Sequence, residues 1–150
     1  MDRPLNGDHT ADHVLLAESL ELIAPVADQV VASFYDQLFA EYPDVRPMFP
    51  AEMSGQRVKL LNAIVELATN YETPDALLPA LSALGRKHGG YGVRIDHYSA
   101  VGLTLLSTLR RFAADAWTPS YEGAWLRAYT FAAGVMMQAG ALRETERAAA

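Results

Sequence analysis

Apolar residues in this chain recur every three or four positions over long stretches, and prolines and glycines cut those stretches into segments of helical length. Val26, Val30, Phe34 and Leu38 fall at intervals of four; Leu77, Leu78, Leu81 and Leu84 make a second stripe, and Val101, Leu105, Leu106, Leu109 and Phe112 a third. Ala and Leu dominate the apolar part, both are strong helix formers, and long β-branched alternation is absent. The pattern confines the chain to the all-α class, with six substantial helices and a short interhelical helix. Its 150 residues suffice for one domain burying roughly 68–70% of its unfolded surface.

Punctuation locates the helices. Residues 1–9 carry Pro4 and Gly7 among polar residues and are expected to form a flexible N-terminal segment, with the folded domain spanning 10–150. Thr10 or Asp12 is a candidate cap for the first helix, and Pro25 suits the first turn of a second that runs to about Ala40. Pro43 and Pro47 break the chain, leaving room for one short helical turn. A third helix is expected from about Glu52 to Asn70, with Leu61, Ile64, Val65 and Ala68 toward the core and Gln56 and Leu60 one turn apart on another face. Thr73-Pro74-Asp75 restarts the helix that ends near His88, where Gly89, Gly90 and Gly92 each make continuation costly by ~1 kcal/mol relative to Ala. Asp96 and Thr118-Pro119 are expected to open the last two helices.

Composition narrows the function classes. A chain that is 51% hydrophobic and 20% charged is not disordered. A formal net charge of −6 lacks the basic stripe that a phosphate backbone requires, so nucleic acid is not an expected partner. The absence of cysteine is compatible with a reducing compartment. No basic region with an apolar core opens the chain, and no charge-free apolar run reaches the ~18–20 residues of a membrane span. A cytoplasmic protein without membrane contact is expected. Zinc-finger, EF-hand, P-loop and dinucleotide patterns are missing, and the histidines lack the spacing of a bare zinc or non-haem iron site. His9 and His13 are expected to be exposed or capping, and His97, beside Asp96, to pack or cap.

His88 stands apart because it ends an apolar helix where the backbone becomes permissive. An imidazole there can ligate a metal, and an all-α domain with one favourably placed histidine can hold a haem. It can equally complement the negative end of its own helix. Tyr35, Phe49, Gln56 and Leu60 could line the opposite wall of a flat apolar cofactor. Tyr35 also reads as a core aromatic and Gln56 as a solvent-facing helix residue.

Several segments lie in the order of a known family: Ser33-Phe34-Tyr35-Asp36-Gln37-Leu38-Phe39, Arg46-Pro47-Met48-Phe49-Pro50, Met53-Ser54-Gly55-Gln56-Arg57-Val58-Lys59-Leu60, the His88 segment, His97-Tyr98-Ser99-Ala100-Val101-Gly102 and Ala124-Trp125-Leu126-Arg127-Ala128-Tyr129. The chain resembles single-domain bacterial globins of the flavohaemoglobin-related class, the thermophilic and methanotroph haemoglobins among them. That resemblance implies a globin fold and haem b (iron protoporphyrin IX), with His88 as proximal iron ligand and Tyr98 beside it. It implies that Phe49 stacks on the haem, that Tyr35 and Gln56 are the distal polar residues acting on bound gas, and that Leu60 shapes the distal side. Dioxygen is the implied ligand, with NO and CO as others. Hydrogen bonds to a charged group are worth roughly 1.5–3 kcal/mol, or about 10- to 150-fold in affinity, so two distal donors imply tight reversible binding.

The resemblance is incomplete on the proximal side. Related enzymes join histidine, tyrosine and glutamate into a network, and Gly140 stands where the glutamate is expected. Losing such an outer acceptor commonly costs 10–100-fold, so oxygen binding is expected more than catalytic turnover. NO scavenging then depends on an external electron donor or reductase. A gas sensor acting through a partner and a haem-free helical interaction module are the alternative readings, and both monomer and homodimer fit the sequence.

Overall fold

The computed structural model describes the backbone of residues 5–149 and the side chains of residues 9–141. Among the described residues there are six α-helices, short 3-10 segments and no strand. The helices are α1 (Leu5–Ile23), α2 (Ala27–Glu41), α3 (Ser54–Asn70), α4 (Leu78–Gly90), α5 (Ile95–Ala113) and α6 (Pro119–Ala149). Pro25 sits in a 3-10 turn at Ala24–Val26, and the two prolines of the next break both lie in a 3-10 segment at Pro43–Met48. Pro74 opens another at Pro74–Leu77, which leads into α4 without a side-chain cap from Thr73. A fixed φ and a missing N–H suit Pro25, Pro43 and Pro74 to the first positions of these turns, while Pro47 sits inside its 3-10 segment.

The N-terminal boundary differs from the expectation. α1 begins at Leu5, so residues 5–9 are helical and neither Thr10 nor Asp12 is its cap; residues 1–4 lie outside the described residues. Asp12 is instead buried against α6, where Arg127 Nε and Nη2 each donate to its carboxylate at 2.8 Å. Two turns further along α1, the buried Trp125 Nε1 donates to Ser19 Oγ at 2.8 Å. Tertiary docking therefore stabilises a helix whose first residues are weak helix formers. α5 likewise starts at Ile95 with Arg94 as its N-cap residue, and Asp96 pairs with Arg94 at 3.2 Å instead of capping.

The core is led by Leu16, Val30, Phe34, Leu38, Leu109 and Trp125, all nearly fully buried. On α3 the buried stripe centres on Ile64 and Ala68; Val65, expected inside, lies at its edge and is 40% exposed. Two hydrophobic clusters result: a large one reaching Tyr35, and a small one formed by Tyr98, Ala133 and Met136, with Leu84 and Val93 packed on it. α3 packs on α1 and α2, while α4 packs on α6; α3 and α4 have no extensive contact with each other.

α4 lies so close to α6 that only glycine is accommodated. A Cβ on Gly85 would enter the Met136 backbone, and one on Gly140 would stand 3.1 Å from the Gly85 carbonyl oxygen. Gly89 meets Gly140 in the same contact. Helix backbones that touch this way leave no room for side chains between them.

Candidate functional site

On one side of the molecule, α2 presents the 5% exposed Tyr35 and α3 presents Gln56, whose Nε2 donates to the Tyr35 hydroxyl at 3.2 Å. Because Gln56 donates and the phenol oxygen accepts, the Tyr35 O–H proton remains free for another acceptor. Burial pushes the Tyr35 phenol above its usual range, so it stays protonated and able to donate at neutral pH. Phe49, just after the Pro43–Met48 segment, packs edge-on against Tyr35 with ring centroids 5.5 Å apart. Leu60 lies one turn beyond Gln56 on α3 and is half-buried against the large cluster. These four sequence candidates are therefore brought together by three successive elements.

The second group lies on α4 and α5. His88 is half-buried in the last turn of α4, and its ring stacks on Tyr98 of α5 at 6.2 Å with 29° between planes. Its Nδ1 lies 2.8 Å from the Leu84 carbonyl oxygen. A carbonyl can only accept, so Nδ1 carries the proton and Nε2 keeps its lone pair. Burial lowers the His88 pKa below its ordinary value, which favours the neutral ring that metal ligation requires. Tyr98 is buried, its phenol is pushed up by that burial, and its carbonyl accepts from Tyr129 O–H at 2.6 Å. Gly140 is placed against Gly85 and Gly89, the latter following His88 directly.

Two contributors were not singled out by sequence. The Leu84 carbonyl orients His88, and helix geometry alone points to it, since residue i−4 faces the end of a helix's last turn. Phe39, one turn beyond Tyr35, stacks on that ring at 5.8 Å.

The remaining histidines do other work. His9 is not a polar-terminus residue: it packs edge-on against Tyr71 at 5.0 Å and near Phe131 at 6.5 Å, with its buried Nδ1 lacking a hydrogen-bond partner among the described residues. His13 Nδ1 lies 3.0 Å from the Ala68 carbonyl oxygen. His97 caps α5 as expected, its Nδ1 accepting from the Arg94 N–H at 2.9 Å. Among the described residues no three His, Cys, Asp or Glu side chains are grouped to hold a bare metal ion, and no helix is long and apolar enough to cross a membrane.

The six-helix arrangement agrees with the sequence comparison, in which the globin family model matches residues 32–136. This chain belongs to the globin family. The globin is 30% identical over 132 residues to the flavohemoprotein of Vibrio cholerae, covering 85% of this chain and 34% of that protein. It is also 30% identical over 119 residues to the flavohemoprotein of Bacillus subtilis, covering 75% and 30%. It therefore spans about a third of the length of these relatives. Among solved structures, an engineered carbene transferase of Rhodothermus marinus superposes with a TM-score of 0.82 at 25% identity, over 92% of this chain and 96% of that one. A bacterial globin of Campylobacter jejuni, at 22% identity and a TM-score of 0.72, shares the fold over 91% of this chain and 96% of its own.

Family membership implies haem-based gas binding, and the residues present fit that group. His88 offers one neutral nitrogen donor; Phe49, Leu60, Leu84, Val93 and Val101 are half-buried apolar side chains at the edges of the two core clusters. A flat apolar group held by a single imidazole suits such a set better than a compact ion does.

Proposed function

We propose that this globin holds haem b through His88 Nε2 and binds dioxygen reversibly and tightly, with NO and CO as further ligands. The observation that carries the reading is the Gln56-to-Tyr35 hydrogen bond at 3.2 Å, because it fixes the phenol oxygen while leaving its proton uncommitted. When bound, haem supplies an iron centre that takes diatomic gases and shifts electron density onto them.

The chain's own residues supply the rest. His88 is held in one tautomer by Leu84 and so presents the correct nitrogen. Tyr35 offers its O–H, and Gln56 offers its second amide hydrogen, to a gas ligand that acquires negative charge. Phe49 and Leu60 exclude water from that ligand, which strengthens both donor interactions. Tyr98 supports the face of His88. Tight binding suits storage, scavenging or sensing better than transport. Repeated oxidation of NO requires electrons, which this proposal assigns to an external donor or reductase.

Oxygen dissociation measured by stopped flow on haem-loaded protein tests the reading. Tyr35→Phe should release dioxygen about tenfold faster or more, given the value of a hydrogen bond to a charged group. Tyr91→Phe, which alters an exposed ring, should leave the rate unchanged. Equal effects from the two substitutions would remove Tyr35 from the distal set.

A further inference from the structure

Phe49 is carried by a corner, residues 49–53, that has no regular secondary structure; the Met53 carbonyl accepts from Arg57 N–H at the head of α3, and the carbonyls before it lie outside the helix. One side chain takes up three of them. Arg46 Nη1 donates to Phe49 O at 3.3 Å and Pro50 O at 3.0 Å, and Nη2 donates to Ala51 O at 3.3 Å. The same guanidinium lies over the Phe39 ring, 4.9 Å from its centroid. Phe39 in turn stacks on Tyr35 at 5.8 Å and meets Phe49 edge-on at 5.3 Å. Among the described residues Arg46 forms no salt bridge, and its donors go to backbone instead. A planar fork can satisfy several carbonyls while stacking on an aromatic face; an ammonium group cannot do both.

We propose that Arg46 is a positioning residue that clasps the 49–51 corner onto Phe39, fixing Phe49 in the distal wall and setting how often that wall opens. The proposal rests on the haem-binding reading for its consequences and on contacts within the chain for its mechanism. A gate changes a barrier shared by entry and exit without changing the end states. Loosening the clasp therefore accelerates both directions of gas exchange and lets the cofactor escape more easily. Removing Tyr35's donor does something different, since it destabilises only the bound state.

The comparison uses Arg46→Met, which keeps the apolar stem, and Arg46→Lys, which keeps charge and stem. On haem-loaded protein, transfer of haem to excess apomyoglobin should be about tenfold faster for Arg46→Met, consistent with losing hydrogen bonds from a charged donor. CO association and dissociation rates should rise by a common factor, leaving equilibrium affinity within about twofold. Arg46→Lys should lie between wild type and Arg46→Met. Should Arg46→Met fail to fold, Arg46→Lys alone carries the test, with smaller changes in the same direction. Unchanged haem loss and gas rates would overturn the clasp and leave the haem reading intact. If the wild-type protein took up no haem, that reading would fall, and amide hydrogen exchange in the corner of the haem-free protein would still decide the clasp. Faster exchange in Arg46→Met supports it; identical exchange overturns it.

Discussion

His88 owes its chemistry to one carbonyl 2.8 Å away and to its burial. The Leu84 carbonyl fixes the proton on Nδ1, and burial among apolar side chains disfavours the charged ring. Its folded-state pKa therefore lies below 6.5, while in the unfolded chain it stays near 6.5. Below that value the unfolded state binds more protons than the folded one, so the contribution to stability is complete above about pH 6.5 and is lost as pH falls from there through the lower folded-state value. An NMR titration of haem-free protein should find His88 titrating below 6.5, and His88→Leu should remove part of the acid sensitivity of unfolding. A His88 pKa above 6.5 would contradict the burial argument. The residues that sequence offers at this scale, Tyr35, Phe49, Gln56, Leu60, His88 and Tyr98, fall in the two groups that α2 to α5 build, and their roles in binding belong to the proposal. The Leu84 carbonyl, four residues before His88 on the same helix, is readable from helix spacing; that the ring turns back onto it is a result of packing.

At the scale of helices, the meaning of Gly140 depends on its neighbour. Sequence presents it as a missing carboxylate; the structure presents it as part of a backbone contact with Gly85 and Gly89. Those readings predict opposite outcomes for Gly140→Glu. A restored acceptor would be harmless, whereas a Cβ 3.1 Å from the Gly85 carbonyl requires the α4 and α6 backbones to give by a few tenths of an ångström. Overpacking of this kind costs about 1–3 kcal/mol. Gly134→Glu on the same helix is the control, because a Cβ there meets nothing within 4 Å and a better helix former replaces glycine. Denaturant unfolding of haem-free protein should show Gly140→Glu destabilised and Gly134→Glu at least as stable as wild type. Equal stabilities would mean that the two helices are free to separate. Helix existence followed from periodicity and proline placement, but the start of α1 did not. Long-range partners, Arg127 for Asp12 and Trp125 for Ser19, stabilise α1 from across the chain, and local pattern cannot report them.

For the whole molecule, the informative feature is that one chain builds two apolar clusters and leaves α3 and α4 largely unpacked against each other. Tyr35 and Gln56 belong to one side of this division, His88 and Tyr98 to the other. A core divided in this way gains stability from a flat apolar group that binds the folded state alone, because ligand binding to the native state shifts the folding equilibrium. In the proposed function, His88 provides the nitrogen that anchors that group. Haem titration followed by visible absorption, comparing wild type with His88→Gly with and without added imidazole, tests this most directly. A saturable Soret band is expected in wild type, with its weakening or displacement in His88→Gly and its recovery when imidazole fills the space. A band and affinity unaltered by His88→Gly would contradict that role.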